Sequence, residues 1–386
     1  MSDKTIYFDN AATTAVRDEV FNAMTPFLRE AYGNPSSLYK IAREAKNAIE
    51  KAREQVASAI GASPSEVFFT GSGTEAVNWA LLASAFSNMD KGNHIITSNI
   101  EHHAVLNSCA YLEKYGFEVT YLPVDEHGIV SASKLERAIK PETILISIMY
   151  ANNEIGTIQP IAEIGAIARE RGIIFHTDAV QAIGHLPVDV KTDNIDLLVL
   201  SAHKLHGPKG VGALYIRNGV RTPAFIHGGG QERGRRAGTE NVAGIVGLGE
   251  AVRLASGEMG VKVEKIRKLR DKIISEILEK VPNSQLNGHP EKRLPGNASI
   301  SFDFIEGESI LLMLDMKGIA ASSGSACTSG ALNPSHVLMA LGLPHEKAHG
   351  SVRISVGRYN TEEEADKLIA EIVPIVEKLR AMSPLC

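Results

Sequence analysis

Lys204 and Asp178 are the two side chains whose positions most suggest chemistry. Lys204 follows the apolar run IDLLVLSAH and precedes a glycine-rich stretch, and a desolvated lysine is a candidate amine nucleophile. Asp178 ends the run GIIFHTD, and Gln181 follows it closely. An amine and a carboxylate at neighbouring strand ends suit pyridoxal phosphate, which forms a Schiff base with lysine and pairs its ring nitrogen with an acid. The alternatives are a surface lysine and a helix-capping aspartate.

A candidate phosphate cup lies earlier, where the run EVFFT passes into GSGTEAVNWALL. Backbone N–H groups of Gly73 and Thr74 at a helix start would hold a phosphate, and Thr74 adds a hydroxyl. The dinucleotide-binding fingerprint is not met, because the third glycine is missing and Asp90 lies in a turn before a strand. An ordinary tight turn explains this stretch equally well alone, but its occurrence with Lys204 and Asp178 favours the cofactor.

His102 and Arg353 extend the same picture. His102 follows the strand-like run HIITSNI and could stack on a pyridine ring, whereas its neighbour His103 could equally be a solvated residue at a helix start. Arg353 stands among β-branched residues in SVRISVG. Its planar guanidinium suits an α-carboxylate, and a salt bridge to a nearby acid is the alternative.

The elements that must position these residues alternate between short apolar runs and helical patterns from about residue 40 to residue 250. This alternation predicts an α/β fold with a mainly parallel sheet covered by helices on both faces. Ligands of such sheets bind where strands end, which is where the polar residues above lie. The predicted strands are EVFFT, HIITS, EVTYLP, TILISIMY, GIIFHTD, IDLLVLSAH and GALYI.

The pattern changes after Gly257, where one long amphipathic helix, VKVEKIRKLRDKIISEILEKV, is followed by strand-like runs. These runs, NASISFDF, GIAAS and SVRISVG, predict a smaller α+β domain. We expect a large domain over 16–256 and a small domain formed by 1–15 with 257–386.

Composition favours a small-molecule enzyme. The chain has 386 residues, a net charge of −5 and 44% hydrophobic residues, which gives no electrostatic reason to expect nucleic acid. No run approaches the roughly 18 apolar residues of a membrane span. The start MSDKTIYFDN lacks a secretory pattern and the chain has three cysteines, so we expect a cytoplasmic protein with reduced thiols.

Cys327 stands in SSGSACTSG, among small residues that cannot pack over it. A buried structural cysteine or a disulfide fits this setting poorly, and a reactive thiol in a loop with few buried contacts fits better. Cys109 lies on an apolar helix face and is expected in the core. Cys386 is either a second exposed thiol or a loose end.

Motifs along nearly the whole chain closely resemble those of the NifS- and IscS-type cysteine desulfurases. This resemblance implies a homodimeric, fold-type I pyridoxal 5'-phosphate enzyme that converts L-cysteine to L-alanine and retains the sulfur as a cysteine persulfide. It also implies sulfur transfer to an iron–sulfur scaffold protein. The motifs are YFDNAATT, YGNPSS, IEHHAVL, ANNEIGTIQP, HTDAVQAIG, SAHKLHGPKGVGALY, GGGQERGRRAGTEN, IEGESILLML, ASSGSACTSG and VRISVGRYNTEEE.

The resemblance also implies a role for each matching residue. Lys204 would form the Schiff base, His102 would stack on the ring, Asp178 would pair with the ring nitrogen and Gln181 would hold the phenolic oxygen. The implied phosphate contacts are Gly73, Thr74, Ser201 and His203, with Thr239 from the other subunit; Asn153 and Arg353 would hold the substrate carboxylate, and Cys327 would be the nucleophile. Tyr39 replaces a histidine common after NPSS in the family, and the chain stops at SPLC where many relatives continue.

Competing functions remain at this point. HEKAH at residues 345–349 matches a zinc pattern, but Pro344 and Gly350 leave little more than one helical turn and no third ligand is evident. An aminotransferase shares the lysine, the aspartate and the phosphate cup without needing Cys327. A selenocysteine lyase would use the same residues, and a non-catalytic scaffold would need none of them.

Overall fold

The large sheet positions the candidate site. In the computed structural model, which describes residues 5–323 and 334–383, seven strands pair in the order β2-β8-β7-β6-β5-β3-β4. Only β8 runs antiparallel to its neighbours in this sheet, so the predicted mainly parallel α/β architecture is confirmed. The strands are β2 (Val67–Thr70), β3 (His94–Ser98), β4 (Glu118–Leu122), β5 (Thr143–Ser147), β6 (Ile174–Asp178), β7 (Leu197–Ser201) and β8 (Gly212–Ile216).

Helices cover both faces of this sheet. Along β7, Leu198 and Leu200 belong to one core cluster, and the alternating Leu197 and Val199 belong to another. Because successive side chains of a strand point to opposite faces, the two clusters lie on opposite sides of the sheet. The helices of this part are α1 (Asp18–Arg29), α2 (Lys40–Ala59), α3 (Gly73–Asn78), α4 (Ser84–Ser87), α5 (His103–Glu113), α6 (Ala132–Ala138), α7 (Ile161–Arg171), α8 (Gln231–Gly234) and α9 (Val242–Gly257).

The remaining elements have a core of their own. Strands β12, β10 and β9 form an antiparallel sheet in that order, and β1 pairs in parallel with β11. Phe8, Ile273, Phe302 and Ile372 are among the side chains buried there. The elements are β1 (Ile6–Tyr7), β9 (Ser284–Leu286), β10 (Asn297–Phe302), β11 (Ile319–Ala320), β12 (Ser351–Ser355), α10 (Met259–Lys280), α11 (Gly307–Asp315), α12 (His336–Ala340), α13 (His345–His349) and α14 (Glu362–Met382).

This smaller α+β part agrees with the predicted fold class. Phe8 belongs to its core although it lies near the start of the chain, as the proposed assignment of residues 1–15 requires. The exact domain bounds at 16–256 stay a prediction. Strand β9 was not predicted, because its sequence, SQL, is short and only half-buried. Among the described helices, none is long and apolar enough to cross a membrane.

The HEKAH segment forms only the short α13, which Pro344 precedes and Gly350 ends. The rings of His345 and His349 lie 4.5 Å apart between centroids. In the described part of the chain, no group of three or more His, Cys, Asp or Glu side chains is arranged to hold a metal ion.

Candidate active site

One cavity of about 700 Å³ lies at the sheet edge where β2, β3, β5, β6 and β7 end. Parallel strands bring their carboxyl ends to the same edge, so residues far apart in sequence meet there. The predicted site residues that line this cavity are Gly73, Thr74, His102, Asn153, Asp178, Gln181, Ser201, His203, Lys204 and Arg353.

One end of the cavity is rich in hydrogen-bond donors. Ser72 caps α3, and its hydroxyl accepts a hydrogen bond from the N–H of Glu75 at 3.1 Å. Gly73 and Thr74 occupy the first two helical positions, whose N–H groups have no acceptor within a helix. A Cβ atom on Gly73 would lie 3.3 Å from Cγ2 of Val180, so glycine keeps this end open.

His203 also lines the cavity. Its Nδ1 is 3.2 Å from Oγ1 of Thr13. Burial is the main cause that lowers the pKa of His203, to about 4, and the charge of Lys204 adds to the effect. His203 is therefore neutral at pH 7, and it offers a hydrogen bond rather than a charge.

Asp178 is the last residue of β6 and is buried. Its Oδ1 accepts a hydrogen bond from the N–H of Val180 at 3.0 Å. Burial raises the pKa of this carboxyl, whereas the interaction with His102, the hydrogen bond from Val180 and the charge of Lys204 oppose the rise. A cationic ring nitrogen placed beside Asp178 would stabilise its anion further.

Lys204 ends a short 3₁₀ turn after β7. Its Nζ donates hydrogen bonds to the carbonyl oxygens of Ala11 and Ala12, both at 2.6 Å. The side-chain amide of Gln181 donates to the same Ala11 oxygen at 3.0 Å. The N-terminal segment therefore contacts the lysine directly, which the sequence reasoning missed although YFDNAATT had been recognised as a motif.

His102 is the N-cap of α5, where its Nδ1 accepts a hydrogen bond from the N–H of Ala104 at 3.1 Å. Burial lowers the pKa of His102, although the charge of Asp178 opposes this effect. A neutral ring whose Nδ1 is an acceptor carries its proton on Nε2. His103 also lines the cavity, and its ring lies 4.8 Å from that of His336.

Arg353 is consistent with both alternatives that the sequence left open, a site for an α-carboxylate and a salt bridge to an acid. Its side chain is buried and lines the cavity, and it also forms a salt bridge from Nη2 to Oδ1 of Asp9 at 2.9 Å. Nη1 donates to the backbone carbonyl of Asn153 at 3.2 Å, whereas the buried Nε has no hydrogen-bond partner among the described residues. The guanidinium is thus held from two sides.

Two buried acids in the cavity wall were missed. Oε1 of Glu101 accepts hydrogen bonds from the Ser98 hydroxyl at 2.6 Å and from the Met149 N–H at 3.0 Å, while Oε2 is buried and has no partner in the part of the chain that the structure describes. Burial raises the pKa of Glu101 to about 8 and that of Glu154 to about 7. Both lie inside recognised motifs, IEHHAVL and ANNEIGTIQP, but an isolated glutamate gives no sequence signal of its burial.

Comparison with known proteins shows which family the chain matches. The family model for aminotransferase class-V matches residues 6–368. A protein of Methanosarcina thermophila named cysteine desulfurase IscS is 60% identical over 99% of this chain and 95% of its own length.

The chain belongs to the class-V aminotransferase family.

Solved structures agree with this assignment. The solved structure of a NifS-like protein is similar to this chain, with a TM-score of 0.92 and 43% identity. The match covers 97% of this chain and 100% of that chain. A structure described as SspA in complex with cysteine has a TM-score of 0.83 and 40% identity, with 92% of this chain and 100% of that chain covered. The resemblance to NifS- and IscS-type cysteine desulfurases is confirmed.

As a class-V aminotransferase, the chain uses pyridoxal 5'-phosphate, and the residues present fit this group. N–H donors around Gly73 suit a phosphate, the buried carboxylate of Asp178 suits a protonated ring nitrogen, and the amine of Lys204 lines the same cavity. The missing Cβ of Gly73 leaves the space that the phosphate end needs.

One predicted site residue among those that the structure describes is not brought into the cavity. Thr239 is exposed, outside the cavity wall. Cys327 and Cys386 lie outside the described residues. Cys109 is fully buried, as expected, and burial raises the pKa of its thiol to about 12.

Proposed function

We propose that this chain is a cysteine desulfurase that converts L-cysteine to L-alanine and transfers the sulfur to its own Cys327. The observation that carries the proposal is the single cavity that joins Lys204 and Asp178 to the guanidinium of Arg353. One amino-acid substrate in this cavity would therefore contact both the cofactor and a group that binds its carboxylate. The relatives named cysteine desulfurase support the choice of L-cysteine.

The residues that would hold the cofactor divide the cavity into regions. Gly73, Thr74, Ser201 and His203 would bind the phosphate, Asp178 the ring nitrogen, Gln181 the phenolic oxygen and Lys204 the aldehyde carbon. Bound pyridoxal phosphate supplies an electron sink that acidifies the Cα–H bond of an attached amino acid. His102 would stack on the ring.

Arg353 and Asn153 would orient the substrate by its carboxylate. A bidentate fork fixes the direction of the amino acid as well as its position. Lys204, once released by the substrate amine, would take the Cα proton at Nζ. An ammonium has three donors, and the carbonyls of Ala11 and Ala12 already accept two hydrogen bonds from this nitrogen, so they would stabilise its protonated form.

Sulfur transfer would then use the Cys327 thiolate. A new S–S bond forms between Cys327 and the substrate sulfur, and the C–S bond breaks with its electron pair left on the carbon. The β-carbon takes up a proton, Lys204 returns the Cα proton, and the product leaves as L-alanine. The persulfide keeps the thiol proton of the substrate and stays on the protein. His102 has a proton on Nε2 in its neutral form and is a candidate donor in this step.

We further propose a homodimer in which Thr239 reaches the phosphate of the neighbouring subunit. The exposure of Thr239 in the single chain supports this arrangement. Large apolar side chains are also exposed near α1 and α2, namely Phe21, Leu28, Tyr32, Leu38 and Tyr39, and a second subunit that covered them would remove apolar surface from water. The sulfur acceptor that we propose is an iron–sulfur scaffold protein.

Cys327→Ser tests the desulfurase activity. Serine keeps the size of cysteine but is a poor nucleophile towards sulfur, so the variant should bind the cofactor yet release no alanine and gain no persulfide. Alanine release and intact-protein mass after exposure to L-cysteine without reductant measure both products; a persulfide adds roughly 32 daltons.

Cys109→Ser is the matched control, because a fully buried thiol with a raised pKa contributes little thiolate. It should form alanine and persulfide like the wild type. Alanine formation at the wild-type rate by Cys327→Ser, or a persulfide in that variant at Cys386, contradicts the proposal.

A further inference from the structure

Glu154 is a buried acid of the cavity wall that no step of the proposed reaction uses. Its backbone is fixed on both sides. The N–H donates to Oδ1 of Asn152 at 2.8 Å, and the carbonyl accepts from the side-chain amide of Asn297 at 3.1 Å. Glu154 directly follows Asn153, whose own carbonyl accepts a hydrogen bond from Arg353.

The Glu154 carboxyl also contacts α12. Ser335 donates its hydroxyl proton to Oε2 of Glu154, and the same hydroxyl oxygen accepts the N–H groups of Val337 at 3.1 Å and Leu338 at 3.3 Å. A hydroxyl has one proton, so Oε2 must act as the acceptor. A proton added to Oε1 would therefore leave this hydrogen bond intact.

Arg353 is the cation that acts on this carboxyl. Burial, the larger effect, raises the pKa of Glu154, whereas the hydrogen bond from Ser335 and the charge of Arg353 lower it, for a result of about 7. Asp9 shares the same guanidinium. Arg293 contacts the carbonyl of Ile155, the residue after Glu154. The other charged or titratable groups that line the cavity among the described residues are Glu101, His102, His103, Asp178, His203, Lys204, Lys209 and His336.

We infer that Glu154 takes up a proton from solvent when a substrate carboxylate binds to Arg353. Asp9 already pairs with Arg353, and the buried Glu154 follows Asn153, whose carbonyl Arg353 contacts. The incoming carboxylate adds a further negative charge to this wall, and like charges in a buried space favour protonation of one of them. Glu154 is thus a positioning residue that becomes neutral so that the substrate carboxylate can lie beside it. This inference rests on the carboxylate-binding role proposed for Arg353.

Proton uptake makes substrate binding dependent on pH. Where Glu154 is ionised in the free protein and neutral in the complex, the apparent affinity falls by up to about tenfold per pH unit as the pH rises. The effect belongs to KM, because once the substrate is bound the carboxyl is neutral at either pH. A purely structural Glu154 would leave no such signature.

Calorimetry of L-alanine binding to the holoenzyme tests the inference. Titrations at about pH 7.5 in two buffers with different ionisation enthalpies give the number of protons taken up per site. Wild-type protein should take up more protons than Glu154→Gln, by a fraction of one proton. The rise of the L-cysteine KM between about pH 7 and pH 9 should also be smaller in Glu154→Gln.

Two further variants keep the test decisive. Glu66→Gln alters another buried glutamate, outside the cavity wall, that accepts the N–H groups of Ser63 and Asn218, and it should match the wild type. Ser335→Ala removes a hydrogen bond that lowers the pKa of Glu154, so the free carboxyl should stay protonated to a higher pH and proton uptake should move to higher pH, a shift that is measurable even if Glu154→Gln folds poorly.

Equal proton uptake by the wild type and Glu154→Gln, or an unchanged pH dependence of proton uptake in Ser335→Ala, overturns the inference. Alanine formation from L-cysteine on the same preparations then still supports the proposed function. Wild-type protein that neither binds L-alanine nor forms it overturns both.

Discussion

Asp9 and Arg353 form a salt bridge of 2.9 Å across the cavity wall. The guanidinium side chain is almost fully buried, whereas the carboxylate is partly exposed. A buried fork held by a carboxylate on one side and by the Asn153 carbonyl on the other has a defined orientation. In the proposed function, Asp9 would therefore hold Arg353 in position for a second carboxylate.

Asp9→Ala is expected to raise the KM for L-cysteine about tenfold and to change kcat much less. The substitution removes a charge-assisted hydrogen bond that orients the guanidinium, an effect of about 1.5 kcal/mol. Asp9→Asn keeps an acceptor oxygen and should have a smaller effect. Steady-state kinetics of alanine release measures both values, and an unchanged KM in Asp9→Ala would contradict the orienting role.

Lys204→Ala is expected to lose the absorbance band of lysine-linked cofactor and all alanine formation while the fold is kept. Lys204→Arg is the matched variant, because its cation can still donate to the Ala11 and Ala12 carbonyls but cannot form a Schiff base. Visible absorbance and far-ultraviolet circular dichroism separate the two effects. A persistent band in either variant assigns the Schiff base to another amine.

Asp178→Asn is expected to bind the cofactor but to lose roughly a hundredfold in kcat, about 2.7 kcal/mol of transition-state stabilisation. The amide oxygen can still accept the Val180 N–H, so the local backbone is retained. The lost negative charge no longer stabilises a protonated ring nitrogen. Cofactor content and alanine release should be measured together, since wild-type turnover would remove Asp178 from the mechanism.

Glu101→Gln is expected to flatten the pH dependence of stability. The pKa of Glu101 is raised to about 8 in the folded protein by burial, above the value of about 4.3 for an unfolded glutamate. The folded state therefore binds more protons between these values. The contribution of Glu101 to the free energy of unfolding is therefore present below about pH 4. It is lost as the pH rises to about 8, by up to ~1.4 kcal/mol per pH unit.

Urea unfolding of the wild type and Glu101→Gln at about pH 5, 6, 7 and 8 tests the direction in which stability changes with pH. These values lie within the titration window given above. The stability of the wild type relative to the variant should fall across the series. The exposed Glu126 provides a control, since Glu126→Gln should run parallel to the wild type. A constant difference between wild type and Glu101→Gln would contradict a titrating Glu101.

The sequence predicted the sheet well because its strands are continuous apolar runs. The runs HIITS and GALYI became β3 and β8 with the predicted bounds. TILISIMY shortened to Thr143–Ser147, because the chain after Ser147 leaves the sheet to form the cavity wall at Met149 and Asn153. Polar residues directly after strands were therefore a reliable guide to the cavity.

Contacts made through backbone atoms could not be predicted in the same way. The carbonyls of Ala11 and Ala12 contact Lys204, but alanine carries no side-chain signal. Glu101 and Glu154 look like surface residues in sequence, since glutamate is rarely buried. Their burial depends on how β3, β5 and α12 converge, which is a property of the tertiary structure.

The segment that contains Asp9, Ala11 and Ala12 has consequences for the order of events during protein synthesis. Asp9 and Arg353 are 344 residues apart in the chain, so at typical rates the ribosome needs roughly 17 to 70 s to add the second after the first. The strands of the large sheet are translated within that interval. A nascent chain could therefore form its own part of the phosphate end of the cavity well before Arg353 is available to bind a carboxylate.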